Sequence, residues 1–298
     1  MDDMNLVDLV QKFADEDKCR AYIEALRWPK KVTCPRCKAE KVYRILKRDQ
    51  FVCDSCSYQF SATAGTIFHD SHLPLWKWLL AVYLMAESKK GMSANQLKRS
   101  LKVSYKTAWY LCHRIRKAMT EANPRLLRGT VELDETWIGG KQHFGRRARL
   151  KNKWMVSGAI ERSGPVRMKV EKRSKQPSHK LIREWVKQTT APDAKRLMTD
   201  GHPAYVGIAD HDTTHETVDH KAKEYVRGDV HTNSIDNAWS LFKRSIVGSY
   251  HKVSAKHLDA YLDEFEWRFN NRKNPYLFRD TVLKLIASST LEYKKLVA

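Results

Sequence analysis

Two Cys-x-x-Cys pairs, Cys34-Pro35-Arg36-Cys37 and Cys53-Asp54-Ser55-Cys56, stand fifteen residues apart. No other feature restricts the folding of the chain so tightly. Each pair offers two thiolates from one tight turn, and two such knuckles at this separation match a zinc ribbon with short strands between them. Four thiolates leave no open coordination position, so the Zn2+ expected is structural rather than catalytic. Redox use of the pairs is the competing reading. Cys19 and Cys112 lie outside the pairs and read as small buried hydrophobes. The ribbon, assigned to residues 28–63, also carries Lys38, Lys41, Arg44, Lys47 and Arg48 among Tyr43, Phe51 and Tyr58. Such a surface suits nucleic acid, and a protein contact equally.

The charge balance bears on the choice. Across 298 residues, 55 Lys and Arg face 34 Asp and Glu, a formal charge of +21. A surplus of that size points to a polyanion, most simply double-stranded DNA, although a merely basic, solvated surface would give the same count. The length predicts two or more domains, and 42% hydrophobic with 30% charged residues excludes a disordered chain. The start, Met1-Asp2-Asp3, is acidic and precedes no short apolar run with a cleavage pattern. The most apolar window, Leu73 to Ala86, is interrupted by Lys77 and is too short to span a bilayer. The expectation is therefore a cytoplasmic, nucleoid-associated protein with no membrane partner.

Residues 1–27 form a helical segment, with Leu6, Leu9, Val10, Phe13, Tyr22, Ile23 and Leu26 at spacings of three and four, stopped by Trp28-Pro29. Residues 64–123 form a helical DNA-binding region. A mostly buried helix starts after Pro74, Ser93 caps a second through Leu101, and Ser104 caps a third from Tyr105 to about Met119. The short Lys102-Val103-Ser104 turn between the last two resembles a helix-turn-helix, a plain helical hairpin being the alternative. Tyr105, Lys106 and Thr107 would then meet base edges, while His113, Arg114, Arg116 and Lys117 would meet phosphate or solvent.

After the basic linker Pro124 to Gly129 the pattern changes, and residues 124–298 are assigned to a catalytic domain closed by C-terminal helices after Pro275. Strands are expected near 130–138, 154–161 and 165–171, the last two joined by a turn at Arg162-Ser163-Gly164-Pro165. A helix follows near 178–190, and then a short buried strand from Arg196 to Asp200. The fold class is mixed α/β, and this order suggests a layered architecture of ribonuclease-H type. Asp134 sits mid-strand in Val131-Glu132-Leu133-Asp134-Glu135-Thr136-Trp137-Ile138, ahead of a Gly139-Gly140 break. Alone, it would read as an ordinary strand carboxylate. Asp200, however, ends the fourth strand, a neighbour of the first in such a sheet. Asp236 shares a helix with Lys243 two turns on, opposite the apolar Ile235, Trp239 and Phe242. Glu135 points to the face opposite Asp134, which favours a structural role, and His231 is a candidate for phosphate or metal contact.

The segments DETWIGGK at 134–141, TDGHPAY at 199–205 and HTNSIDNAWSLFKR at 231–244 resemble the insertion-sequence transposases that join a zinc ribbon to a DDE-type ribonuclease-H-like domain. The stretches from Gly248 to His257 and from Tyr261 to Asn270 resemble that family's C-terminal region, so the likeness runs from about 30 to 275. It implies Asp134 and Asp200 as the first two catalytic acids, and Lys243 as the Lys that follows the third. Asp236 stands where the family usually has Glu, or in some branches Asn. The implied chemistry is strand cleavage and strand transfer with Mg2+ or Mn2+ held by the three acids, on DNA ends and target, by a homodimer or higher oligomer. A catalytically impaired or domesticated transposase acting as a DNA-binding protein is the rival, since Asp is one methylene shorter than Glu. A DNA-binding regulator and a nuclease without strand transfer are weaker alternatives.

Overall fold

The structure, a computed structural model, describes residues 4–139, 153–171, 176–210 and 212–298. The Gly139-Gly140 turn and Lys141 of the DETWIGGK segment therefore lie at or outside the edge of the described residues. The chain divides into two compact units, one of Met1–Thr120 with Lys273–Ala298 and one of Glu121–Arg272.

In the first unit, helices α1 (Leu6–Lys12) and α2 (Glu16–Arg27) start at Asn5 and Asp15, whose side chains accept backbone N–H bonds. The ribbon follows as an antiparallel sheet of β1 (Val42–Ile45), β2 (Gln50–Cys53) and β3 (Gln59–Phe60). Its small core is Phe51, Phe60 and Ala64, with Trp28 edge-on to both phenyl rings. Then come α3 (Leu75–Glu87), α4 (Ala94–Leu101) and α5 (Tyr105–Met119), the last two capped by Ser93 and Ser104 as the sequence predicts.

The C-terminal helices α9 (Leu277–Ala287) and α10 (Tyr293–Val297) belong to this unit, which corrects their assignment to the catalytic layer. An apolar helix stripe can close any core, and only tertiary contacts decide which. Here Phe278 stacks on Tyr22, with ring centroids 6.3 Å apart, and Ile67 donates its N–H to the Leu285 carbonyl at 3.1 Å.

The second unit is built on a five-stranded sheet in the order β6-β5-β4-β7-β8. Strands β4 (Thr130–Gly139), β5 (Lys153–Glu161) and β6 (Val166–Val170) form an antiparallel meander, while β7 (Arg196–Asp200) runs parallel to β4 and β8 (Thr214–Val218) parallel to β7. This is a ribonuclease-H-like arrangement. The edge strand β8 was not foreseen: Thr214-His215-Glu216-Thr217-Val218 is polar, with only Val218 fully buried, so no apolar alternation marks it. Helix α6 (His179–Thr189) covers one face through Ile182 and Trp185. Helices α7 (Asn233–Ser245) and α8 (Leu258–Asn270) cover the other through Ile235, Trp239, Phe242 and Phe265.

Candidate metal and nucleic-acid sites

In the ribbon, the chain after each first or second knuckle turns back on itself. Lys38 donates to the Cys34 carbonyl and Ser57 to the Cys53 carbonyl, each at 2.9 Å, with Lys38 and Ser57 in the left-handed region. The turns bring all four thiol sulfurs within 4.8 Å of one another. Cys34 Sγ is 3.7 Å from Cys56 Sγ, and Cys37 Sγ is 3.5 Å from Cys53 Sγ. A tetrahedron with Zn–S bonds of about 2.3 Å has edges of about 3.8 Å, so the four sulfurs fit one structural Zn2+.

The acidic site is organised by β4. Val131 and Leu133 point into the core under α6, so the alternation turns Glu132 and Asp134 toward α7. The parallel register pairs Glu132 with Met198; Asp134 and Asp200 lie two residues beyond each, on the same face of adjacent strands. Asp236 comes from the first turn of α7, which packs over that face. Burial pushes the Asp134 carboxyl up to about 8, and the carboxylates of Glu135, Asp236 and Asp200 push the same way. Asp134 Oδ2 accepts the indole N–H of Trp239 at 2.9 Å, Asp200 Oδ1 accepts from His202 N at 3.0 Å, and Asp236 Oδ2 from the Thr232 hydroxyl at 3.1 Å. Three hard oxygen donors, two of which add to the upward push on Asp134, suit divalent Mg2+ or Mn2+. Among the described residues, the four cysteines are the one group of three or more such side chains whose ligand atoms converge closely enough to hold an ion as they stand.

Glu135 lies on the α6 side, as its register predicts. It accepts a 2.7 Å hydrogen bond from the Tyr205 hydroxyl, and burial, with Asp200 and Glu171 nearby, pushes it up to about 7. Lys243 is exposed on α7 on the same stripe as Asp236 and Ser240. His231 does not face outward as a free ligand: its Nδ1 accepts from Asn233 N at 3.3 Å and lies 3.1 Å from Arg162 Nη2.

Sequence reasoning overlooked Glu132, which is fully buried. Its carboxylate accepts from Arg162 Nε at 2.8 Å, from Ser234 N at 2.7 Å and Ser234 Oγ at 3.0 Å, and from Ile235 N at 3.0 Å. The available signal was the alternation itself, which sets Glu132 on the same face as Asp134.

Of the residues expected to meet DNA, Tyr105, Lys106 and Thr107 are exposed at the start of α5. Lys106 Nζ stands over the Tyr293 ring, 4.6 Å from its centroid. Arg114 does not reach the surface. It is 3% exposed, donates to the carbonyls of Ile67 and His69, and lies over Trp78, 4.8 Å from the ring centroid. His113 and Arg116 are buried too, and Lys117 is half-buried, bonded to Ser289 Oγ at 3.3 Å and to the Thr290 carbonyl at 3.1 Å. The C-terminal segment and the loop before α3 occupy the side of α5 that the sequence assigned to phosphate. Among the described residues, no helix is long and apolar enough to cross a membrane.

Residues 126–270 match the ISXO2-like transposase domain, and residues 14–59 match the transposase zinc-ribbon domain. A protein of Halobacterium salinarum described as "Uncharacterized protein in transposable element ISH50" is 30% identical, over 87% of this chain and 92% of that one. Among solved structures, a chain of the simian T-cell lymphotropic virus intasome in complex with PP2A regulatory subunit B56 gamma is 14% identical. The match covers 57% of this chain and 63% of that chain's length with a TM-score of 0.30, too slight a likeness to bear on the site. The ribbon, the layered α/β domain and a relative matched over nearly its whole length agree, and the chain belongs to the family of ISXO2-like transposases.

Proposed function

We infer that this transposase binds the ends of an insertion sequence and carries out metal-dependent strand cleavage followed by strand transfer. The observation that supports it best is the placement of Asp134 and Asp200 on one face of adjacent parallel strands, under the helix that carries Asp236. Those three carboxylates would hold Mg2+ or Mn2+. Bound there, such ions act as Lewis acids on the phosphate and lower the pKa of an attacking hydroxyl. The chain's own groups orient the rest. Trp239 donates to one oxygen of Asp134 and so restrains the carboxylate, and Lys243 supplies a cation to the DNA phosphates beside Asp236. In cleavage, water attacks the phosphorus at the element end and releases a 3′ hydroxyl. In transfer, that hydroxyl attacks a target phosphodiester and displaces a 3′ oxygen, so one phosphodiester replaces another with no covalent enzyme intermediate. Tyr105, Lys106 and Thr107 present the base-reading end of the helix-turn-helix, and the net charge of +21 supplies sequence-independent affinity. Joining two ends calls for a homodimer or higher oligomer.

The test is cleavage and joining of DNA bearing the element's ends, with Mn2+ present. Asp134→Asn and Asp200→Asn should each abolish cleavage and leave end binding intact; cleavage surviving in either rejects the assignment. The short Asp236 favours a second reading, a DNA-binding protein whose catalysis has decayed. End binding without any cleavage by the wild-type chain would select it.

A further inference from the structure

Helix α7 brings the third carboxylate to the sheet, yet its own N-cap, Thr232, makes no side-chain capping bond. The N–H groups of Asn233, Ser234 and Ile235 have no partner within the helix and must find one elsewhere. Asn233 N finds His231 Nδ1. Ser234 N and Ile235 N both find Glu132 Oε2, at 2.7 and 3.0 Å, on strand β4. The other oxygen, Glu132 Oε1, takes the Ser234 hydroxyl and Arg162 Nε, and Arg162 Nη2 reaches on to the His231 carbonyl at 3.0 Å. A carboxylate buried to zero exposure is thus satisfied almost wholly by the turn that leads into Asp236 and by Arg162 beside it. It stands two residues before Asp134 on the same strand face, so one residue spans the elements that hold two of the three acids.

We propose that Glu132 is a positioning residue: its buried carboxylate ties the N-terminus of α7 to β4 and so sets the separation of Asp134 and Asp236. The proposal rests on the metal-dependent reading above. Capping by a charged carboxylate is strong where solvent is excluded, and the favourable field of the helix N-terminus adds to it. Removing the charge while keeping the shape should loosen the first turn of α7 and let Asp236 drift, without touching DNA or metal directly.

The experiment uses the full-length, zinc-loaded protein and compares wild type with Glu132→Gln. In the metal-free state, amide hydrogen exchange at Ser234 and Ile235 should quicken. Mn2+ affinity, read by paramagnetic resonance of the free ion, should weaken by about tenfold, as supporting groups around metal ligands typically do. The kcat for end cleavage should fall with KM for DNA unchanged, and adding Asp236→Glu, which restores reach, should recover part of the Mn2+ affinity. Unchanged Mn2+ affinity and kcat in a folded Glu132→Gln protein would overturn the proposal. Should that variant fail to fold, Ser234→Ala removes a single bond to Glu132. It should weaken Mn2+ binding roughly threefold, the scale of one net hydrogen bond, and no change would overturn the proposal equally. Asp134→Asn keeps the two readings apart. Mn2+ binding lost in Asp134→Asn but intact in Glu132→Gln rejects the role of Glu132 alone, whereas Mn2+ binding indifferent to Asp134→Asn rejects the metal site and this proposal with it.

Discussion

Trp239 reaches Asp134 because the residue across the strand pair has no side chain. Gly158 is the partner of Asp134 in the β4–β5 register, and a Cβ there would stand 2.3 Å from Trp239 Cζ2 and 3.0 Å from Ile235 Cδ1. The indole therefore lies over the Gly158 backbone with its N–H 2.9 Å from Asp134 Oδ2. Gly158→Ala should force the ring outward and cost about 1–3 kcal/mol, the usual penalty of overpacking. Urea unfolding followed by tryptophan fluorescence measures it, and a stability equal to wild type would mean that the ring is not held where the geometry puts it.

The ribbon carries its own prediction. With four sulfurs at tetrahedral spacings, one Zn2+ per chain should survive dialysis and be lost on Cys37→Ser. Since the core of the ribbon is only a few aromatic rings, metal loss should unfold residues 28–63. Elemental analysis gives the stoichiometry and protease sensitivity reports the unfolding. A ribbon that stays protected after Cys37→Ser would mean that zinc does not support it.

Much of this was legible in the sequence because local chemistry dictates it. Ser93 and Ser104 cap helices wherever those helices pack, and the Cys-x-x-Cys spacing needs no tertiary context. The placement of Asp134 and Asp200 on neighbouring strands was legible through strand periodicity and element order. What failed depended on partners distant in the chain. Arg114 looks like any basic residue on a helix until Ile67 and His69 offer it carbonyls and Trp78 a ring face. The apolar stripe of α9 does not say which core it completes, and Glu132 looks like a surface acid until α7 supplies three donors.

The contrast between Lys106 and Arg114 separates surface from core on α5. Lys106 is exposed, so Lys106→Ala should leave stability near wild type, weaken DNA binding, and lower the slope of log K against log salt by about one. Arg114 is buried, with Nη2 donating to the Ile67 and His69 carbonyls, so Arg114→Ala should lower the thermal midpoint, by an amount equivalent to about 3 kcal/mol. Fluorescence anisotropy across a salt series and a melting curve check the pair. A steep loss of salt dependence in folded Arg114→Ala protein would return that residue to the DNA surface.

Glu266 makes the pH dependence of the second unit predictable. Burial pushes its carboxyl up to about 8, against the opposing pull of the Met168 N–H and the Arg167 guanidinium. The folded state thus holds a proton that the unfolded chain releases near the ordinary Glu value of about 4.3. Between those limits the folded form binds more protons, so stability falls as pH rises from about 4.5 to 8, by at most about 1.4 kcal/mol per pH unit from this group. Asp134, raised to about 8, and Glu135, raised to about 7, add slopes of the same sign in metal-free protein. Glu266→Gln keeps an acceptor for Met168 N and abolishes the titration, so its unfolding free energy should fall less steeply over that window than wild type. Denaturant melts at pH 5, 6.5 and 8 measure the two slopes, and equal slopes would mean that Glu266 is already ionised in the folded protein.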